Sequence, residues 1–169
     1  RTSSLCVKFL HVYRVQTLFF YHRNITFNLG LEIATEKNTI VSYQHFIDYY
    51  VGSISQRLIA ENNRNILAFK IAKKENSEKG YIEFLAKYPN ALQTDSATRN
   101  RDECAYINAK KGNSSMAIVS FIRKYPNSHL KFEAEEEKNR LLFREQTDGT
   151  VEGYVKFCRN NDKGKYFDM

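Results

Sequence analysis

The sequence predicts an all-α fold, an α-solenoid of stacked helix–turn–helix hairpins, and three observations predict it. The segment FLAKYPNA begins at Phe84 and FIRKYPNS begins at Phe121, 37 positions later. Stepping outward from these anchors, Phe46 lies 38 positions before the first and Phe157 lies 36 after the second. Four further columns keep the same step around each anchor. A recurrence of about 20 to 50 residues marks arrays in which a unit buries its apolar face only against its neighbours.

Residues 1–32 stand apart from the array. They include LCVKFLHVYRVQTLFFY, an apolar stretch interrupted by Lys8, His11, Arg14 and Gln16. A membrane-spanning helix needs about 20 nearly uncharged residues, so this stretch does not qualify. It also lacks the clean apolar run of a signal peptide. ITFNLGL, from Ile25 to Leu31, alternates in the manner of a strand. The chain opens on Arg1 and the last unit stops at KYFDM, so the sequence reads as a fragment cut at both ends, or as repeats behind a foreign first segment.

The repeats are expected at about 33–71, 72–108 and 109–145, with a partial fourth unit over 146–169. Asn38, Asn76, Asn113 and Gly149 form the first column and are expected to be helix N-caps, since an amide oxygen can accept from the free N–H groups of a first turn. Thr39, Ser77, Ser114 and Thr150 follow them. Next come the small residues Ser42, Gly80, Ala117 and Gly153, expected to let a neighbouring helix approach closely. Tyr43, Tyr81, Ile118 and Tyr154 precede the phenylalanine anchors by three residues, which puts both side chains on one helix face. Pro89 and Pro126 end these helices near Tyr88 and Tyr125, because the residue before proline is steered out of the α region. Val51-Gly52 and Asp162-Lys163-Gly164 take that role in the first and fourth copies.

A second helix is expected after each stop, over about 55–72, 92–110 and 130–146. In the third copy Leu130, Ala134, Leu141 and Leu142 form a helical stripe, and in the second Leu92, Ala97, Cys104 and Ala105 form a weaker one. Ser53 and Gln56 fit a capping box.

This pattern resembles the tetratricopeptide repeat family. In that family the second helix carries an aromatic, a small residue three later, and a proline five after that. Tyr81, Phe84 and Pro89 keep the spacing, as do Ile118, Phe121 and Pro126, with phenylalanine standing where the family has a small residue. The column from Thr39 to Thr150 falls where the family keeps alanine. The first-helix Trp, Leu-Gly and Tyr signature is missing, and the unit is longer than the usual length of about 34 residues. The phrase F-x-x-K-Y-P-N-S, with Ala97 or Ala134 eight residues after the proline, looks more like a divergent subgroup that includes the outer-membrane-assembly lipoprotein of Gram-negative bacteria and related envelope proteins. The resemblance covers residues 33–160. It implies a non-catalytic protein–protein interaction scaffold and a bacterial envelope location, with the cytoplasm as the alternative because the cysteines read as free thiols.

The residues themselves offer no catalytic constellation. Gly-rich phosphate loops, HExxH, GxSxG and paired CxxC are all absent, and no cofactor is expected. Cys6, Cys104 and Cys158 are too scattered for a disulfide framework or zinc site. His11, His22, His45 and His129 read as surface histidines. Glu133, Glu135, Glu136 and Glu137 would fan around a helix and form a solvated face with Lys138 and Arg140. Asn24-Ile25-Thr26 and Asn113-Ser114-Ser115 match the glycosylation sequon. The net charge is +7, of which residues 1–31 hold +4 through Arg1, Lys8, Arg14 and Arg23 with no acid. The array is therefore not a basic domain, which argues against nucleic acid.

One column points to binding. Arg64, Arg101 and Lys138 each follow the alanines Ala60, Ala97 and Ala134 by four residues. Resemblance to tetratricopeptide superhelices would put them in the concave groove, where a positive ladder could hold an acidic or C-terminal peptide. The competing expectation is an inter-repeat salt-bridge ladder with Glu103 or Glu137. The function expected is thus an adaptor that holds another protein. The alternatives are a regulatory array of a larger enzyme whose catalytic domain lies elsewhere, and a membrane-surface protein tethered by the basic aromatic start.

Overall fold

The computed structural model describes residues 28–49 and 54–160. Its regular structure there is helical throughout, eight helices among the described residues. They are α1 (28–37), α2 (Ile40–Tyr49), α3 (Ile54–Glu75), α4 (Glu78–Lys87), α5 (Thr94–Lys111), α6 (Ser115–Lys124), α7 (Lys131–Gln146) and α8 (Val151–Asn160). Four short helices of 10 residues each, α2, α4, α6 and α8, carry the Phe anchors. The long helices α3, α5 and α7 follow the proline or glycine stops, close to the expected spans. Asn28 to Leu31 is helix, not the strand that alternation suggested. Helical spacing explains this: Gly30 and Ala34, one turn apart, are both buried.

The turn from each long helix into the next short one is a repeated device. Asn38, Asn76 and Asn113 have φ of 45°, 46° and 47°, and Gly149 has φ of 79°. These residues are left-handed pivots, not N-caps as expected. Asparagine and glycine are the residues that adopt this conformation at least cost. The caps sit one residue later. The hydroxyls of Thr39, Ser77, Ser114 and Thr150 accept from the backbone N–H of Ser42, Gly80, Ala117 and Gly153 at 3.0, 2.9, 3.3 and 3.0 Å. In the first copy Ser42 Oγ accepts in return from Thr39 N–H, so the cap is reciprocal.

The small column also differs from expectation in what it meets. A Cβ on Gly80 would fall 2.7 Å from Glu75 Oε2, and one on Gly153 would fall 2.3 Å from Asp148 Oδ1. Ala117 in turn crowds Gly112. The column makes room for the tight turn that precedes each short helix. After the short helices Tyr88 and Tyr125 open β-turns: their carbonyls accept from Ala91 N–H and Ser128 N–H, both at 3.1 Å, with proline in the second position of each. Val51-Gly52, Ser53 and Asp162-Lys163-Gly164 lie outside the described residues.

The chain divides into two compact units. The first takes in the chain to Ile71 together with Tyr88–Gln93. Its core holds Ala34, Tyr43, Phe46, Ile47 and Ala60, with Leu31 and Leu67 packed against them. The second holds Ala72–Lys87 and the chain from Thr94 onward. Within it adjacent helices pack in series: α4 on α5, α5 on α6, α6 on α7, and α7 on α8. Ala105, Tyr106, Ile118, Phe121, Tyr125, Ala134 and Leu141 form its core. Tyr106 meets Phe121 at 5.3 Å between ring centroids, and Phe143 meets Phe157 edge-on at 5.0 Å, so one aromatic contact recurs a repeat apart. Ala60, Ala97 and Ala134 are each 0% exposed, which leaves no room for a larger side chain on that face of the long helices. Leu92 departs from its expected stripe: it precedes α5 and stands in solvent. No helix among the described residues is long and apolar enough to cross a membrane.

Candidate binding surface

The two arginines of the cation column find aromatic rings. The Arg64 guanidinium lies 4.9 Å from the centroid of Tyr88, and that of Arg101 lies 4.5 Å from the centroid of Tyr125. Each tyrosine is 24 positions further along the chain, at the K-Y-P-N turn. Each arginine is also held by its own neighbour. Arg64 Nε and Nη2 donate to Asn65 Oδ1 at 3.1 and 2.9 Å, while Arg101 Nε and Nη2 donate to Asp102 Oδ1 at 2.9 and 2.6 Å. Arg64 Nη1 further donates to Gln44 Oε1 at 2.7 Å. Lys138 is half-buried at the corresponding position of α7. The acids expected as partners are engaged elsewhere: Glu137 pairs with Arg140 at 2.6 Å, and Glu103 lies 3.7 Å from His129. Sequence reasoning missed the tyrosines because nothing local links positions so far apart.

Tyr125 anchors a larger cluster in the second unit. Its hydroxyl donates to Glu78 Oε1, and Lys124 Nζ approaches the same oxygen at 2.7 Å. Burial pushes the Glu78 carboxyl up, but the hydrogen bonds from Lys124 and Tyr125 and the nearby Arg101 charge outweigh it and hold it below its ordinary value. The Tyr125 phenol is raised by burial and by the Glu78 carboxylate.

The tyrosines of the short helices lock the pivots. Tyr43 OH donates to Asn38 Oδ1 at 3.3 Å and Tyr81 OH to Asn76 Oδ1 at 3.2 Å. Asn63 and Asn100, equivalent on α3 and α5, donate to those phenol oxygens at 3.4 and 3.3 Å. Ile118 has no hydroxyl, and in that copy Arg144 Nη2 donates to Asn113 carbonyl and Oδ1 at 2.9 and 3.0 Å.

Among the described residues the remaining candidates are placed as follows. Cys104 is half-buried and donates to the Asn76 carbonyl at 3.5 Å. Burial and the Glu103 and Glu78 charges raise its thiol, which disfavours the thiolate a nucleophile needs. Cys158 is half-buried on α8. His45 is exposed, and its ring lies tilted against that of Tyr49 with centroids 4.5 Å apart. No group of three or more His, Cys, Asp or Glu that could hold a metal occurs among the described residues. Asn113 is exposed at its pivot; Cys6, His11, His22 and the Asn24 sequon lie outside the described residues.

Large apolar side chains recur in solvent where long helices begin. Ile54 opens α3 and is 81% exposed, Leu92 precedes α5 and is 82% exposed, and Phe132 in the first turn of α7 is 60% exposed. Leu58, one turn after Ile54, is exposed as well. Compared with known protein families, curated proteins and solved structures, the chain matches none.

Proposed function

We propose that the chain is a non-catalytic interaction scaffold that holds a segment of another protein through the leading ends of its long helices. The observation carrying this reading is that Ile54, Leu58 and Leu92, all of the first unit, stand as exposed apolar side chains at the starts of long helices. Scattered surface apolar residues are ordinary. A position that recurs is different: Ile54 and Leu92 each stand eight residues after an anchor Phe, and a repeat array adds such contacts along its length. Tight turns hold each hairpin, so little ordering is required when a partner docks. In this reading Arg64 and Arg101 act as joints that keep hairpins in place, and the partner's affinity comes from apolar anchors.

The test uses the full chain with a photoreactive side chain at Leu92, and a control with the same group at Lys79, which is exposed on α4. After irradiation in a lysate of the source, the expected result is a protein adduct at position 92, competed by unlabelled chain and lost in Ile54→Ser/Leu58→Ser. Equal labelling at both positions would sink the proposal.

A further inference from the structure

The last short helix differs from the other three in how far its face is covered. On α2, α4 and α6 the side chain three residues before the anchor Phe is buried: Tyr43, Tyr81 and Ile118 are 2%, 1% and 0% exposed. Tyr154 fills that column on α8 and is 41% exposed. One side of its ring rests on Phe143 of α7, with centroids 5.4 Å apart. Val151 and Val155, also exposed, lie on the same helix face as Tyr154. The fourth pivot is Gly149, so Tyr154 lacks the Asn Oδ1 to which Tyr43 and Tyr81 donate. Among the described residues its hydroxyl makes no hydrogen bond.

The earlier copies show what covers such a face, and with which residues. The long helix that follows each short one faces this column. On α3 and α5 the wholly buried Ala60 and Ala97 are followed three residues later by Asn63 and Asn100. These two amides donate to the phenol oxygens of Tyr43 and Tyr81 at 3.4 and 3.3 Å. In the third copy the column holds Ile118, which has no hydroxyl. There Glu137 stands three residues after Ala134, and it pairs with Arg140 instead. The asparagine is present where a phenol takes a donor and absent where there is no phenol.

We infer that α8 receives a helix of another polypeptide carrying Ala-x-x-Asn, packed along Val151, Tyr154 and Val155 with its asparagine amide donating to the Tyr154 hydroxyl. The contact continues the one already made by Tyr43 with α3 and by Tyr81 with α5. An alanine at the crossing lets the two helix axes come close, and the valines supply the apolar area. A second folded copy has neither Ala60 nor Ala97 to offer, since both are fully buried, and residues 161–169 hold no alanine. This contact uses none of Ile54, Leu58 and Leu92 and does not depend on the scaffold reading.

The probe is a fluorescent peptide of residues 94–111, the α5 sequence with Ala97 and Asn100, titrated into the full chain in reducing buffer and read by anisotropy. The expected result is saturable binding that weakens at least about tenfold in Val155→Asp, which puts a charge into the apolar contact. Val41→Asp, at an exposed valine of α2, is expected to leave it unchanged. Tyr154→Phe in the chain and Asn100→Ala in the peptide are each expected to weaken binding about two- to tenfold, and both together no more than either alone, because one hydrogen bond is lost. Thermal unfolding checks that each variant is folded. Additive losses, binding indifferent to Val155→Asp, or no binding would each overturn the inference. Self-association of the chain that Val155→Asp abolishes overturns it as well, assigning the face to a second copy.

Discussion

The residue that turns the chain is asparagine, and its work is conformational. Asn38, Asn76 and Asn113 hold left-handed backbone where most residues are strained by about 1–2 kcal/mol. Asn113→Val is therefore expected to lower stability by about that amount, while Asn113→Gly keeps the conformation and loses only the Arg144 hydrogen bond to Oδ1. Ser114→Ala removes the true cap and is expected to cost about 1 kcal/mol. Urea unfolding of the three variants checks the order. An Asn113→Val as stable as Asn113→Gly would contradict the pivot assignment. The column was legible in the sequence but its role was displaced by one residue, because Asn serves both as N-cap and as left-handed terminator, and only the backbone angle separates the two.

Between elements, the arginine–tyrosine joint predicts an asymmetry. Arg64 and Arg101 occupy the same position, but the neighbour of Arg64 is Asn65 and that of Arg101 is Asp102, whose side chain is 3% exposed. Removing a partner from a buried ion pair leaves an uncompensated charge and costs about 3–5 kcal/mol. Losing a cation–π contact costs about 0.5–2 kcal/mol. Arg101→Met is thus expected to destabilise the chain markedly more than Arg64→Met, and Asp102→Asn is expected to recover much of the loss. Equal midpoints for the two single variants would argue against a buried pair. Replacing Arg64, Arg101 and Lys138 together by Ala is expected to lower stability while leaving partner affinity per folded molecule unchanged. A partner lost from a fully folded triple variant would restore the ligand-binding ladder.

For the molecule as a whole, pH sets the limits of stability at both ends. On the acid side the Glu78 carboxyl is held low by Lys124 and Tyr125, and the Glu137 carboxyl by Arg140. A depressed folded value means that the stabilisation is complete above the ordinary carboxylate range, about pH 4.3, and is lost as pH falls through the lowered folded value. Glu78→Gln is expected to flatten that acid limb, as read by midpoints of thermal unfolding between pH 6 and 3, roughly spanning the range. On the alkaline side burial, then Glu133 and Glu137, push the Tyr106 phenol up to about 12. This raised value means that its contribution is full below the unfolded tyrosine value of about 10 and disappears as pH climbs toward the folded one. Ultraviolet titration of the full chain is expected to show a late-ionising tyrosine that is missing in Tyr106→Phe.

What the sequence determined by itself is local. Helix spans, the stop at each K-Y-P-N turn and the pairing of Tyr or Ile with Phe on one face all depend on residues within about one or two turns of each other. That is why four short helices and three long ones fall where the 37-residue step places them. Tertiary structure decided what each column touches. The arginines receive a tyrosine 24 positions away, and Leu92 is left in solvent. Such contacts are set by how one hairpin lies on the next. The spacing within a hairpin carries no information about that.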